Sequence, residues 1–243
     1  TDPLDPRTGA PSGNAFTQFD ADQVVSALIA TEMNIDGPCG ATQDILNPAP
    51  PTVCLPRVVH FADDFEGGTN GWTVSNTNPP TPYDWELTDA PLPFGRPGVA
   101  WFIDNSFLGD GVADESAVHS LTSPPIQIPP DAVAPRVAFT HFMESEAALD
   151  GGNLKVCIVG GNCQLVPRTA FHFNPYNGRL FTTARGSTNP LAGEVAWSGA
   201  GGRWGTSIAG LDGLVAPGDI VQFRFDFSKD HNFGVTGWYM DDF

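Results

Sequence analysis

Val221-Gln222-Phe223-Arg224-Phe225-Asp226-Phe227 puts an apolar side chain at every second position. That period of two matches the pleat of a β-strand with one face on a core and the other toward water. Val137-Ala138-Phe139-Thr140-His141-Phe142 largely repeats it. Outward from these two segments, short apolar runs alternate with Gly, Pro, Asn and Asp. The runs predict strands over 58–61, 72–75, 85–87, 99–103, 120–121, 126–128, 136–142, 153–158, 164–167, 220–227 and 237–243. Many short strands joined by turn residues predict an all-β sandwich or barrel over residues 59–243.

Residues 1–58 read differently. Pro- and Gly-rich stretches surround a single helical segment, Gln23-Val24-Val25-Ser26-Ala27-Leu28-Ile29-Ala30. Asp20 is placed as its N-cap, and Val24, Val25, Leu28 and Ile29 share an apolar face. This part is expected to form an N-terminal arm with one short helix. Residues 171–210 are poor in strand signal and rich in Gly, Asn and aromatic residues, so they are expected to form a long excursion.

Composition limits the function classes. The 243 residues carry 28 acidic and 11 basic side chains, a formal charge of -17. That balance gives phosphate-tracking nucleic-acid binding no electrostatic basis and disfavours anionic membrane surfaces. No apolar run approaches the ~18 residues of a membrane span, so membrane insertion is not expected. Gly 27 and Pro 23 make the chain loop-rich, while Phe 17 and Trp 6 supply a core.

The four cysteines fall into two local pairs, Cys39 with Cys54 and Cys157 with Cys163. Three pairings are combinatorially open, and proximity favours the local two. Cys157-Ile158-Val159-Gly160-Gly161-Asn162-Cys163 reads as a stapled hairpin around a Gly-Gly-Asn turn. Neither pair has zinc-ligand spacing. Disulfides imply an oxidising location, extracellular, periplasmic or at the cell surface. The polar start at Thr1 is expected of a processed product. The stop at Asp241-Asp242-Phe243, inside an expected strand, points to a longer precursor.

Catalytic motifs are missing: the sequence has no His-Glu-x-x-His, no Gly-x-Ser-x-Gly and no phosphate-cradling Gly-Lys-Ser/Thr. The histidines at 60, 119, 141, 172 and 231 are scattered, and a hydrolase would have to draw on His141, Glu144 and Glu146. Carboxylates are better organised. Asp63-Asp64-Phe65-Glu66 stands at the entry to the sandwich and Asp241-Asp242 at its exit. If the first and last strands are neighbours, these side chains repel one another unless a cation joins them. Calcium suits such an irregular oxygen cage. Up to five carboxylates would meet there, with Asp104 and Asp114 expected to add ligands from intervening loops. Asp150, before Gly151-Gly152, reads as a turn residue. Trp197 and Trp204, in the excursion, are the tryptophans expected to contact a ligand.

Asp64-Phe65-Glu66, Gly71-Trp72, Asp84-Trp85, Leu121-Thr122-Ser123-Pro124 and Gly237-Trp238-Tyr239-Met240-Asp241-Asp242 follow one another in an order that resembles the MAM-like domain. The stretch Asp150-Gly151-Gly152-Asn153-Leu154 is similar to bacterial variants attached to secreted multidomain proteins, including metallopeptidases of the fungalysin and immune-inhibitor types. The resemblance covers about 61–243. It implies an all-β, two-sheet antiparallel jelly-roll sandwich with a structural cation between the Phe65-Glu66 segment and the closing strand, held first by Glu66 and Asp241 and then by Asp64 and Asp242. The cysteines of animal MAM domains are not matched by Cys39, Cys54, Cys157 and Cys163. The expected function is a non-catalytic, secreted binding or accessory module that takes a glycan or an extracellular protein. The rival expectations are a self-assembling subunit of an extracellular structure, built by strand exchange, and a cryptic hydrolase.

Overall fold

The longest strand, Ile220–Lys229, turns Val221, Phe223, Phe225 and Phe227 into the interior and Gln222, Arg224 and Asp226 outward. Around it the computed structural model describes residues 58–77, 83–106, 114, 116–200, 202–231 and 234–243. The chain divides into two units, Thr1–Pro56 and Arg57–Phe243. The helix expected at 23–30 and the Cys39–Cys54 pair lie outside the described residues.

In chain order the strands are β1 (Thr73–Asn76), β2 (Glu86–Thr88), β3 (Ala100–Asp104), β4 (Ala117–Thr122), β5 (Ile126–Gln127), β6 (Arg136–Glu144) and β7 (Gly151–Ile158). They continue as β8 (Cys163–Leu165), β9 (Phe171–Phe173), β10 (Gly178–Arg179), β11 (Val195–Ala196), β12 (Gly205–Gly210), β13 (Ile220–Lys229) and β14 (Gly237–Asp241). Sheet I has the order β1-β4-β13-β7-β8, with β5 also on β13. Sheet II has the order β2-β3-β14-β6-β12-β9. Every strand pair in both sheets is antiparallel. Long strands close in sequence fall in opposite sheets, β6 then β7 and β12, β13, β14 in turn, which is the antiparallel jelly-roll sandwich expected.

The core lies between the sheets and is aromatic. Phe65, Phe139, Phe225, Phe227 and Trp238 are fully enclosed there, together with Ile103, Leu121 and Leu154. Gly152 of β7 is required by this packing, because a Cβ at that position would enter the Trp238 ring. Trp238 in turn stacks at a tilt on Trp85 and Trp197, with centroids 5.4 and 5.8 Å apart.

Two expectations change. Residues 58–61 form no strand; the entry to the sandwich instead pairs at Asp63, whose N–H and C=O both bond Phe243. The excursion holds more strand than its composition suggested. Within it β9 extends sheet II at its edge, β10 and β11 form their own ladder, and β12 starts at its end to pair with both β6 and β9. β12 reads Gly-Thr-Ser-Ile-Ala-Gly, too small and polar to signal a buried strand by periodicity. It is buried because its neighbours supply hydrogen bonds to Ser207.

Candidate functional site

The entry and exit of the sandwich meet at one edge through the Asp63–Phe243 backbone pair, and the two exit carboxylates gather on an arginine. Arg96 Nε donates to Asp241 Oδ2 at 2.6 Å, and Arg96 Nη2 bridges to Asp242. Glu66 reaches the same segment from the other side, its Oε1 accepting the Val99 N–H at 2.8 Å. Asp64 turns back on its own backbone and accepts the Glu66 N–H. Burial pushes the Asp241 carboxyl above its ordinary value, and the hydrogen bond and charge of Arg96 oppose that rise without cancelling it.

Asp63, one of those five carboxylates though not among the ligands the resemblance implies, is the best-held acid of this edge. Its Oδ1 accepts from Phe65 N (3.0 Å) and Asn70 Nδ2 (2.9 Å), and its Oδ2 accepts from Trp72 Nε1 (3.0 Å). Asp63, Asp64, Asn70, Asp242 and Phe243 border an open depression of about 560 Å³.

The remaining expected ligands lie elsewhere. Asp104 stands opposite Gly237, at the far end of β14 from Asp241, and accepts from Ser106 N and Oγ at 2.7 and 2.6 Å. Asp114 accepts the Ser116 N–H at 2.9 Å, and its hydrogen bonds to Ser116 lower its pKa. Among the described residues no three acidic, histidine or cysteine side chains converge as metal ligands. A guanidinium already sits against Asp241 and Asp242, so the residues present do not fit the calcium cage expected between Glu66 and Asp241.

The hydrolase reading turns on His141, which is buried in the core face of β6. Its Nε2 lies 2.9 Å from Ser207 Oγ, a Ser-His contact that the sequence did not reveal. The proton is on the wrong nitrogen for base catalysis. Trp238 Nε1 can only donate, and it points at His141 Nδ1 from 3.1 Å, so Nδ1 is the acceptor and Nε2 carries the hydrogen. Ser207 Oγ therefore accepts from His141 and donates onward to the Asn174 carbonyl at 2.8 Å. Desolvation takes the His141 pKa down to about 3, keeping the ring neutral. This arrangement staples β6, β12 and β14 to the 174 turn. It cannot deprotonate Ser207.

Glu144 and Glu146 part company as well. Glu144 accepts from Thr236 Oγ1 on the outer side of sheet II. Glu146 belongs to the β6–β7 turn, where burial first and the charge of Asp230 second raise its pKa. Asp150, read as a turn residue, is fully buried. Its Oδ1 accepts the Asp230 N–H and its Oδ2 accepts from Asn105 Nδ2, both at 2.9 Å. Desolvation lifts its pKa to about 7 against those two hydrogen bonds.

Of the two tryptophans expected to meet a ligand, Trp197 is enclosed between the sheets by Phe139, His141, Phe171 and Tyr176. Trp204 lies on the outer face of sheet II beneath residues 92–96: its Nε1 donates to Pro93 O at 2.8 Å and Arg96 covers its ring at 4.7 Å. Both side chains are buried. The aromatic side chains open to solvent on that face are others. Strand register sets Glu86, Phe102, Tyr239 and Phe142 in one row across β2, β3, β14 and β6. Phe102 and Tyr239 are half-buried and stacked, with centroids 4.0 Å apart and planes at 17°. Phe142 at the end of the row is covered by Phe94, which is 61% exposed and held at φ 58°.

A second depression, about 270 Å³, lies on the outer face of sheet I. Its charged side chains are already paired, Lys155 Nζ and Arg224 Nη2 each lying 3.0 Å from Asp226 Oδ2.

No family model matches the chain. No curated protein matches it either.

Proposed function

We propose that this chain is a non-catalytic extracellular module that binds its partner on the outer face of sheet II. One observation carries the reading. Phe102 and Tyr239 stand stacked and half-exposed in the middle of a sheet, and Phe94, packed on Phe142 with Arg203 over its ring, holds a left-handed backbone while remaining largely exposed. A bulky residue at positive φ is strained, and strain of that kind collects at ligand-contacting positions. Aromatic side chains fixed on a rigid sheet give contact area with little entropy left to lose.

The Cys157–Cys163 disulfide supports an oxidising compartment. The ordered motifs that resemble the MAM-like domain support an accessory role within a larger secreted protein. The tautomer of His141 speaks against the one Ser-His contact described above as a nucleophile.

The test is retention of the full chain on panels of immobilised glycans and extracellular proteins, with a parallel screen of ester, peptide and glycoside hydrolysis. The expected result is a retained ligand, released by Tyr239→Ala or Phe94→Ala, and no turnover. Turnover abolished by Ser207→Ala would overthrow the reading.

A further inference from the structure

Along β2, β3 and β14 the outer face of sheet II is acidic as well as aromatic, while its arginines Arg203 and Arg96 lie over the Phe94 and Trp204 rings beside those strands. Between residues 58 and 135 the sequence has a single basic side chain, Arg96, and residues 230–243 have none. These segments supply β2, β3 and β14, the strands that carry Glu86, Phe102 and Tyr239. Arg96 is engaged with Asp241 and Asp242 at the far end of β14. At the near end Asp104 and Glu144 both stand opposite Gly237, one on each side, so the strand between them has no side chain there. Burial first, and the charge of Asp104 second, raise the pKa of the Tyr239 hydroxyl.

From this geometry we infer that the Phe102–Tyr239 row is a binding site for cationic side chains, above all arginine, presented by a basic polypeptide segment. This rests on the binding reading above and names its ligand class. Phe102 and Tyr239 cover one face of each other's ring, and the row continues from Tyr239 to Phe142. The uncovered face of Phe102 looks along the row toward Glu86, its partner on β2 and an exposed residue. A guanidinium laid on that face is held between the Phe102 ring and the Glu86 carboxylate. A second cation of the same segment reaches Asp104 and Glu144 across the gap left by Gly237. Ring and carboxylate are both held by the sheet, so little is reorganised on binding. The charge of -17 draws a basic partner in and repels anionic glycans.

The experiment is calorimetric titration of the full chain with acetylated, amidated tetra-arginine, and with tetra-lysine and a neutral soluble glycan such as a cello-oligosaccharide. Saturable tetra-arginine binding is expected, several-fold tighter than tetra-lysine and weakened by salt. Glu86→Gln, at an exposed position, should weaken it about tenfold, and Phe102→Ala at least as much. Asp212→Asn, an exposed acid in the β12–β13 loop, should leave it unchanged. Circular dichroism checks that Phe102→Ala folds, and Glu86→Gln decides the matter if it does not. Equal losses in Glu86→Gln and Asp212→Asn would reduce the effect to diffuse attraction and overturn the site. So would glycan binding lost in the Phe102 variant without any response to tetra-arginine, which would leave the broader binding reading standing. Absence of ligand for any arm would sink both.

Discussion

Asp63 and Phe243 exchange both of their backbone hydrogen bonds, at 2.8 and 2.9 Å, joining the entry of the sandwich to its exit. The pairing explains why so many carboxylates gather there, since residues 63–66 and 241–242 are brought to one edge. It also explains why Arg96 matters: the segment 96–99 crosses that edge and binds Glu66 with Val99 and the closing acids with its guanidinium.

Arg96→Ala should therefore lower the melting temperature, leaving the nearly buried Asp241 without its cation. The expected cost is about 1–3 kcal/mol, the range for stranding a partly buried charge. Chelation by EGTA should leave the melting temperature of the unaltered chain unchanged. Calorimetric scans with and without EGTA check both. A drop on chelation that calcium restores would return a bound cation to this edge.

Asp63→Ala removes three acceptor bonds at once and leaves the buried Trp72 indole N–H unpaired. A loss of about 2–4 kcal/mol is expected, with Asp63→Asn costing less because one oxygen remains to accept. Urea unfolding monitored by tryptophan fluorescence measures the shift in midpoint.

Cys157 and Cys163 face each other across β7 and β8, with six residues of sequence separation. So short a closed loop removes little unfolded-state entropy, and replacing both cysteines with serine should cost only about 2 kcal/mol. A double variant that fails to fold would show that the link does more than restrain the unfolded chain.

Stability should vary little across mildly acidic pH because two buried groups oppose each other. Asp150 has its pKa raised to about 7, so its contribution is complete below the ordinary carboxyl value and is lost as pH rises through about 7. His141, depressed to about 3, contributes above the ordinary imidazole value, and that contribution is lost as pH falls toward about 3. Between the two ordinary values the slopes oppose. Asp150→Asn should remove one of them, so that the variant loses stability steadily on acidification below about pH 6. Urea midpoints at about pH 4.5, 6 and 7.5 check it, and an unchanged profile in the variant would remove Asp150 from the account.

The alternation in 221–227 and 137–142 carried β13 and β6 without ambiguity, because a strand's two faces are written into adjacent residues. The Gly-Gly-Asn turn between Cys157 and Cys163 was legible for the same reason. Strand β12 was not, since Ser207 is buried only through His141 and Asn174, residues 66 and 33 positions away. The acidic edge was half legible. Glu66 and Asp241 were expected to meet through a cation, yet nothing near either residue announces that the 96–99 segment takes up both, Val99 bonding Glu66 and Arg96 bonding Asp241.

What the sequence by itself determined is therefore the class: an acidic, aromatic-cored antiparallel sandwich with a local disulfide at Cys157–Cys163, each feature arising from contacts within a few residues. Only the tertiary structure decided which groups pair. Cross-strand register set Phe102 on Tyr239 and Glu86 beside them, and chain crossing set Arg96 on Asp241. The physical reason is that charge compensation and ring stacking depend on separations of a few ångströms between residues more than a hundred positions apart, which no local pattern encodes.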